Sequence, residues 1–585
     1  MDKHVQQRAQ AWLTGSYDAK TKAEVKNLME TNSTELTERF YKNLEFGTGG
    51  LRGIMGAGTN RMNKYTVGMA TQGLANYLKR CFPELPQIKV AIAYDCRNNS
   101  SCFAQITAHV LAANGIKVYL FEALRPTPEL SFTVRHLGCQ GGVVITASHN
   151  PKEYNGYKAY WSDGAQVTSP HDKNIMAEVE KITDPQQVLF EGNEDNIQRI
   201  GKDMDELYLT KVLSLELSPE AVSAHSNLRI VYTPLHGTGV TLIPEALRRK
   251  GFTNIIRVPE QDVNDGNFPT VPSPNPEEPT ALKMAIDKAI TAGADIVMAS
   301  DPDADRVGLA IRNLEGEFVL LNGNQTNTLL TYYLLRRWKE LGKLAGKEYI
   351  IKTIVTTDLM RRIADYYGVE CYNVYTGFKN IAEVIRNNEG TKTFIAGGEE
   401  SFGYNVGEFV RDKDAVTTCC TIAEMTAWAE EQGKTLFEML LDIYVEFGYF
   451  KETLIALTKK GKDGLTQIED MMKRFRNAPL KTIDGATVVR IYDYSTLETI
   501  DVAGGGVRSK INLRETSNVL QYETDDHTII SLRPSGTEPK IKFYFSATTE
   551  LKTKDDYLKV AGEMDAKFER IAEELGIRHC DPHEA

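Results

Sequence analysis

The sequence predicts an α/β protein: three similar α/β domains with mixed sheets, whose strand-end loops can share a central cleft, and a C-terminal α+β domain. Three observations lead there. Short apolar runs alternate with helix-like segments through most of the chain, as expected for strands covered on both faces by helices. Three of these runs end in a polar, Gly-rich or acidic loop: TASHNP after Ile145, SDPDADR after Ala299 and GGEESFGY after Ala396. The last ~140 residues change character, because half-buried alternation replaces the continuous apolar runs.

The strand-like runs are, in order, Val90–Tyr94, Val143–Ile145, Leu228–Tyr232, Asp295–Ala299, Tyr349–Val355 and Thr393–Ala396. Helical stretches lie between them, including 326–341 and 359–367, so the strands are joined as α/β units. In the C-terminal part, strands are expected at Val488–Tyr492, Val519–Tyr522, Thr528–Leu532 and Lys540–Phe545, with a helix near 554–574. In the last strand Ile541, Phe543 and Phe545 alternate with Lys540, Lys542 and Tyr544, which places the two sets on opposite faces. At ~150 residues per domain the 585-residue chain holds three to five domains. The expected boundaries give domains 1–204, 205–322, 323–444 and 445–585.

Composition narrows the function class. The chain is 42% hydrophobic and 25% charged, an ordinary balance for a protein with several cores. A net charge of −11 argues against general nucleic-acid binding, which needs basic surface. No apolar stretch is long enough for a bilayer span, and the N-terminus lacks a signal-peptide pattern. The eight cysteines form no CxxC pair, so reduced thiols in a cytoplasmic protein are expected. A small anionic ligand remains compatible, held by local cations and backbone N–H groups.

Four loops carry the chemistry. In GGVVITASHNPKEYNGYKAYWSDG an apolar strand runs into Ser148 and His149, and Pro151 ends regular structure. Asn155-Gly156 reads as a hairpin turn, returning Lys158 beside Ser148. A serine hydroxyl needs such a base or positive surroundings to act as a nucleophile, although the same residues would also serve as a turn that caps backbone. The GxSxG elbow of hydrolases is absent. In DPDADR, three alternating carboxylates, Asp301, Asp303 and Asp305, would point inward from an extended loop around one hard cation. An aspartate-nucleophile phosphatase is an alternative for this loop taken alone. In GGEESFGY, Glu399, Glu400 and Ser401 offer acceptors and a small donor to sugar hydroxyls. In RPSGTEPKIKFY, Arg533, Ser535, Gly536 and Thr537 suit a phosphate dianion, with Lys542 in reach. FGTGGLRG lacks the GK[ST] of a Walker loop. HGTGVTL, which has Leu242 in place of a third glycine, is not a dinucleotide fingerprint.

TASHNP, DPDADR, GEESFG and RPSGTEP, in this order and at these separations, resemble the α-D-phosphohexomutase family over nearly the whole chain. FGTGGLRG, TPLHGTG and the chain length are most similar to its longer phosphoglucomutase/phosphopentomutase subgroup. The resemblance implies four domains around one cleft, with one loop from each. It makes Ser148 the phosphoserine, completing a Mg²⁺ site with Asp301, Asp303 and Asp305, one ion per active site. It places Arg52, His149 and Lys158 near the reacting phosphate, and Glu399 and Ser401 on sugar hydroxyls. Arg306 joins the substrate-binding set. Arg533, Ser535, Gly536, Thr537 and Lys542 would hold the phosphate that is not reacting. The family's TGWK loop reads Thr376-Gly377-Phe378-Lys379 here, so Thr376, Gly377 and Lys379 carry over while the aromatic differs.

The implied activity is interconversion of glucose 1-phosphate and glucose 6-phosphate through a sugar bisphosphate, with a sugar 1,6-bisphosphate as priming activator. Phosphopentomutase, phosphomannomutase and sugar-bisphosphate synthase activities are the alternatives within the family, and a non-catalytic sugar-phosphate sensor is the alternative outside it. Small sugar phosphates are the expected partners, with neither nucleic acid nor membrane.

Overall fold

The computed structural model describes residues 2–47, 50–459, 464–535 and 540–577. The chain divides into two compact units. One comprises Met1–Thr326, Glu340–Tyr349 and Gly377–Thr435; the other comprises Asn327–Lys339, Ile350–Thr376 and Leu436–Ala585.

The first unit opens with three helices, Lys3–Thr14, Ala19–Thr31 and Ser33–Phe40, capped by the side chains of Asp2, Asp18 and Asn32. Such residues at the N-cap accept from orphan N–H groups of the first turn. Val5, Trp12, Val25, Leu36 and Phe40 bury a small core of their own against Tyr65. Seven strands follow: β1 (Phe46–Gly47), β2 (Gly50–Ile54), β3 (Lys89–Tyr94), β4 (Lys117–Phe121), β5 (Gly141–Ile145), β6 (Tyr154–Trp161) and β7 (Ile197–Ile200). They form one sheet in the order β1-β2-β6-β5-β3-β4-β7. It is mixed: β5, β3, β4 and β7 run parallel, whereas β2 and β6 are antiparallel additions. Central strands β3 and β5 are buried on both faces, which is why they read as continuous apolar runs.

A second mixed sheet has the order β12-β11-β10-β8-β9, built from β8 (Arg229–Thr233), β9 (Asn254–Arg257), β10 (Ile296–Ser300), β11 (Val307–Arg312) and β12 (Phe318–Leu321). Farther along, β13 (Glu348–Thr353) and β14 (Glu370–Val374) flank a helix at Leu359–Tyr367. Next, β15 (Thr393–Glu399) and β16 (Gly403–Val406) form an antiparallel hairpin. Helix Ala415–Glu431 follows, with Asp414 accepting from the N–H groups of Val416 and Thr417.

The second unit carries an eight-stranded sheet, β17-β24-β23-β22-β19-β20-β21, with β18 paired to β19. Its strands are β17 (Tyr449–Thr458), β18 (Thr482–Ile483), β19 (Ala486–Asp493), β20 (Glu498–Asp501), β21 (Val507–Lys510), β22 (Leu520–Thr524), β23 (Ile529–Pro534) and β24 (Lys540–Thr549). Helices Leu436–Phe447, Gly464–Asn477 and Tyr557–Glu574 accompany it. Among the described residues no helix is long and apolar enough to cross a membrane. The seven described cysteines are unpaired.

Four local expectations are corrected. Asn155-Gly156 is not a turn; both residues lie inside β6, opposite Gly53 and Arg52. The glycine is there for close approach, since a Cβ on Gly156 would meet Thr146 O at 2.4 Å and Leu51 O at 2.9 Å. Asn155 instead reaches out of the strand to Asn98 O and Ser100 Oγ, each at 3.0 Å. In β24 Tyr544 is buried along with Phe543 and Phe545, so this strand is covered on both faces where it crosses the sheet. The expected helix 326–341 spans Gly323–Glu340, and the last helix starts at Tyr557 behind a 3₁₀ turn, Lys554–Asp556.

Candidate active site

The carboxyl end of β5 delivers Thr146, Ala147 and Ser148 in buried positions. Ser148 takes a left-handed backbone conformation, φ +53°, uncommon for a residue with a Cβ. Its N–H donates to Thr146 Oγ1 at 2.8 Å, and its Oγ donates to Asp301 Oδ2 at 2.7 Å. His149 Nδ1 stands 3.2 Å from Ser148 Oγ. Burial, followed by the charges of Arg306 and Arg52, holds the His149 imidazole well below its usual pKa, hence neutral.

β6 returns Lys158 opposite Val144, but its ammonium does not sit on Ser148. It bonds Asp303 Oδ2 at 2.7 Å and Asp305 Oδ2 at 3.3 Å. Arg52, on the neighbouring β2, is exposed, with Nη1 3.4 Å from Asn150 Oδ1.

The aspartates follow β10 in a tight turn rather than an extended loop. Asp301 Oδ1 accepts the N–H groups of Asp305 and Arg306, both at 3.0 Å, and its carbonyl accepts from Ala304 at 2.9 Å. This is the habit of an aspartate that folds its own backbone over its side chain, and Ala304 completes the turn at φ +51°. The three carboxylates offer ligand atoms within 4.8 Å of one another, all buried. Asp303 Oδ1 and Asp305 Oδ1 are buried without a hydrogen-bond partner, which is rare unless a ligand completes them. Burial, then the charges of Asp303 and Asp305, pushes the Asp301 carboxyl well above its usual range. Burial also acts on Asp305, but Lys413, Lys158 and Arg306 outweigh it and hold that carboxyl down. Hard oxygen donors, orphaned and of like charge, fit a metal ion.

Two contacts complete the loop. Thr127 donates its N–H to Asp303 O and its Oγ1 to Asp303 Oδ2, both at 2.9 Å. Arg306 pairs with Glu277. Lys413 was not anticipated. Its Nζ lies 3.1 Å from Asp305 Oδ2 and 3.0 Å from Asp412 Oδ1, and Tyr160 OH donates to Asp412 Oδ2 at 2.7 Å. The signal was the charged run Arg411-Asp412-Lys413-Asp414 set between apolar Val410 and Ala415. Such a run ahead of a buried helix has no solvated face to occupy.

At the end of β15, Glu399 is buried and accepts the Gly377 N–H at 2.7 Å. Burial raises its carboxyl. Ser401 and Lys379 are half-buried, and Phe402 turns the hairpin at φ +62°. Phe378, the altered aromatic, is buried with Lys413 Nζ 5.5 Å from its ring centroid. In the second unit, Arg533 on β23 is the cross-strand partner of Lys542 on β24, and the Ser535 N–H donates to Lys540 O at 2.7 Å. Gly536 and Thr537 lie outside the described residues. Thr376 is half-buried in the same unit, next to Tyr375, whose hydroxyl donates to Glu515 O at 2.8 Å.

The sequence matches three models of the phosphoglucomutase/phosphomannomutase α/β/α domains: domain I over residues 43–186, domain II over 206–316 and domain III over 322–447. A phosphoglucomutase of Staphylococcus haemolyticus is 36% identical over 527 residues, 90% of this chain and 94% of that protein. One from Staphylococcus aureus MSSA476 is 39% identical over 526 residues, 89% of this chain and 93% of that protein. This chain belongs to the phosphoglucomutase/phosphomannomutase family. The crystal structure of parafusin from Paramecium shares the fold, with a TM-score of 0.67 at 17% identity, covering 92% of this chain and 97% of that one. Within the family's division, Ser148 falls in domain I, the aspartates in domain II and Glu399 in domain III. Arg533 and Lys542 belong to the β-rich region beyond domain III, and the three N-terminal helices precede domain I.

Proposed function

We propose that the protein interconverts glucose 1-phosphate and glucose 6-phosphate by passing a phosphoryl group through Ser148. One observation carries the reading: the Ser148 hydroxyl lies 2.7 Å from Asp301 in a buried three-carboxylate cluster with two orphaned oxygens. A phosphate on that hydroxyl would stand where a cation on the aspartates can share it.

Asp301, Asp303 and Asp305 would hold one Mg²⁺ together with the phosphate of Ser148. When bound, Mg²⁺ supplies hard positive charge to phosphoryl oxygens. The chain's own residues do the rest. Lys158 pairs with Asp303 and Asp305, and together with Lys413 and Arg306 it holds the Asp305 carboxyl down. His149, neutral and 3.2 Å from Oγ, can accept the serine proton when the ester forms. Arg52 offers an exposed guanidinium to the transferring group, because phosphoryl transfer depends on positioning and neutralised charge. Glu399 and Ser401 would take sugar hydroxyls. Arg306, Thr376, Gly377 and Lys379 would line the substrate. Arg533, Ser535, Gly536, Thr537 and Lys542 would clamp the phosphate at rest. The loaded serine gives its phosphate to a sugar monophosphate, the bisphosphate turns end for end, and its other phosphate returns to Ser148. Glucose 1,6-bisphosphate would prime an unloaded enzyme. With this reading go the four-domain division at residues 204, 322 and 444 and a cytoplasmic setting.

The test is a substrate panel. Purified protein with Mg²⁺ and glucose 1,6-bisphosphate should convert glucose 1-phosphate faster than mannose or ribose 1-phosphate. Intact mass should reveal one phosphate, mapped by peptide analysis to Ser148. Absence of turnover with every hexose phosphate would reject the proposal, and a faster pentose reaction would reassign the substrate.

A further inference from the structure

Directly behind Ser148 lies a buried cation that none of the steps above uses. Arg97 is 3% exposed. Its Nη2 donates to Ser148 O at 2.6 Å and to Asn150 O; its Nη1 donates to Pro151 O at 2.9 Å and Tyr154 O at 3.1 Å. Its Nε lies 3.3 Å from Asp95 Oδ2. Four of the five donors of the guanidinium fork thus bond carbonyls of the loop that carries Ser148, while the buried Nε makes no hydrogen bond and meets Asp95 only as an ion pair.

Asp95 grips the same loop from its other end. Its Oδ2 accepts from Thr146 Oγ1 at 2.6 Å, and that hydroxyl oxygen in turn accepts the Ser148 N–H at 2.8 Å. Asp95 Oδ1 is fixed by Ser100 Oγ at 2.6 Å and by the Arg97 N–H at 2.9 Å. The Arg97 guanidinium also rests on Phe268, 5.0 Å from the ring centroid. Ser273 Oγ donates to His149 O at 3.0 Å. The left-handed Ser148 is therefore held through its own carbonyl and its own N–H.

We infer that Arg97, with Asp95 and Thr146, is a positioning group that fixes Ser148 in this conformation whether or not it carries phosphate. The loop then need not reorganise between loading and transfer. An unclamped loop would relax towards ordinary backbone angles and carry Oγ away from Asp301. Lysine cannot replace the fork, having three donors on a point charge. The inference rests on the reading of Ser148 as the phosphoryl carrier.

The experiment follows phosphoryl uptake at Ser148 from glucose 1,6-bisphosphate by intact mass, together with kcat and KM for glucose 1-phosphate. It uses wild type, Arg97→Lys, Arg97→Ala and Thr146→Val. If wild type takes up no phosphate, the carrier reading itself fails, whatever the variants do. If it does, Arg97→Lys should slow both uptake and kcat by about a hundredfold with KM unchanged. Guanidinium ion should restore Arg97→Ala by about tenfold, and Thr146→Val should lose about tenfold, the worth of one hydrogen bond. Wild-type uptake in Arg97→Lys, or a loss confined to KM, overturns the inference. Should both Arg97 variants fail to fold, Thr146→Val, which keeps the side chain's shape, decides alone, and undiminished uptake then overturns it.

Discussion

The Ser148 loop and the Asp301 loop meet through one hydrogen bond, yet they reach their shapes by opposite means. Around Ser148 a buried cation meets neutral carbonyls, and four guanidinium donors are bonded to them. Around Asp301 three carboxylates meet two lysines, and two oxygens stay orphaned. A loop whose carbonyls are met by directed donors keeps its form with little further help, whereas buried carboxylate oxygens left without partners cost stability. On the proposed reading the pair divides the work: one loop fixes geometry and the other receives the cation.

The largest blow to this picture would be Ser148→Ala, which leaves both loops framed but removes the carrier. Turnover should fall by about a thousandfold or more, while calorimetry still detects sugar-phosphate binding. Near-normal turnover would end the carrier reading. Next comes metal removal. Chelator should stop turnover and Mg²⁺ restore it. In scanning calorimetry Mg²⁺ should also raise the melting temperature, by an equivalent of about 2.7 kcal/mol at a hundred times its Kd. Asp301→Asn should lose that rise, and an unchanged rise would take Asp301 out of the metal site.

Lys413→Met tests the charge side without touching a carboxylate. It should cost about a hundredfold in kcat/KM, the scale of one removed electrostatic contact, and little change would mean that Lys158 suffices. The segment bearing Lys413 ends at Asp414, which burial raises to about 6 despite bonds from Thr417, Tyr208 and Val416. The folded protein keeps this proton where the unfolded chain has lost it. Stability from this group therefore falls as pH rises from the ordinary carboxylate range to about 6 and is level above. The change is on the order of 3 kcal/mol. Denaturant titrations of Asp414→Asn should lack this slope; an identical slope would assign it elsewhere. The smallest effect concerns the geometric side. Gly156→Ala should destabilise by about 2 kcal/mol, because its methyl would press on Thr146 O; a neutral result would mean that β6 can shift.

Most of the fold was legible because its central strands are buried on both faces, as in β3, β5 and β10, and such runs announce themselves. What escaped had weaker signatures. The N-terminal helices bury only one side around Trp12 and Phe40, and β20 and β21 form a hairpin with exposed or half-buried residues. At the site, Ser148 and the aspartates stood out because each sits at the end of an apolar run. Lys158 was foreseen near Ser148 but went to the aspartates, because pairing across a sheet fixes where a side chain starts and not which charge it reaches. Arg97 could not be assigned from sequence, because its partners are backbone carbonyls brought in by folding; Lys413 left a trace in its charged run, but the run does not say that Asp305 is its partner.

The ion pairs of the site also set a timetable for synthesis. Lys158 is made long before Asp303 and Asp305, and Lys413 later still, yet in the folded chain they are buried in ion pairs with one another. At roughly 10 residues per second the nascent chain must keep Lys158 solvated for tens of seconds. A first domain leaving the ribosome can close its apolar core on time, but the edge that bears Lys158 has to stay open. That edge is the place where a chaperone, or premature pairing with another nascent chain, would intervene.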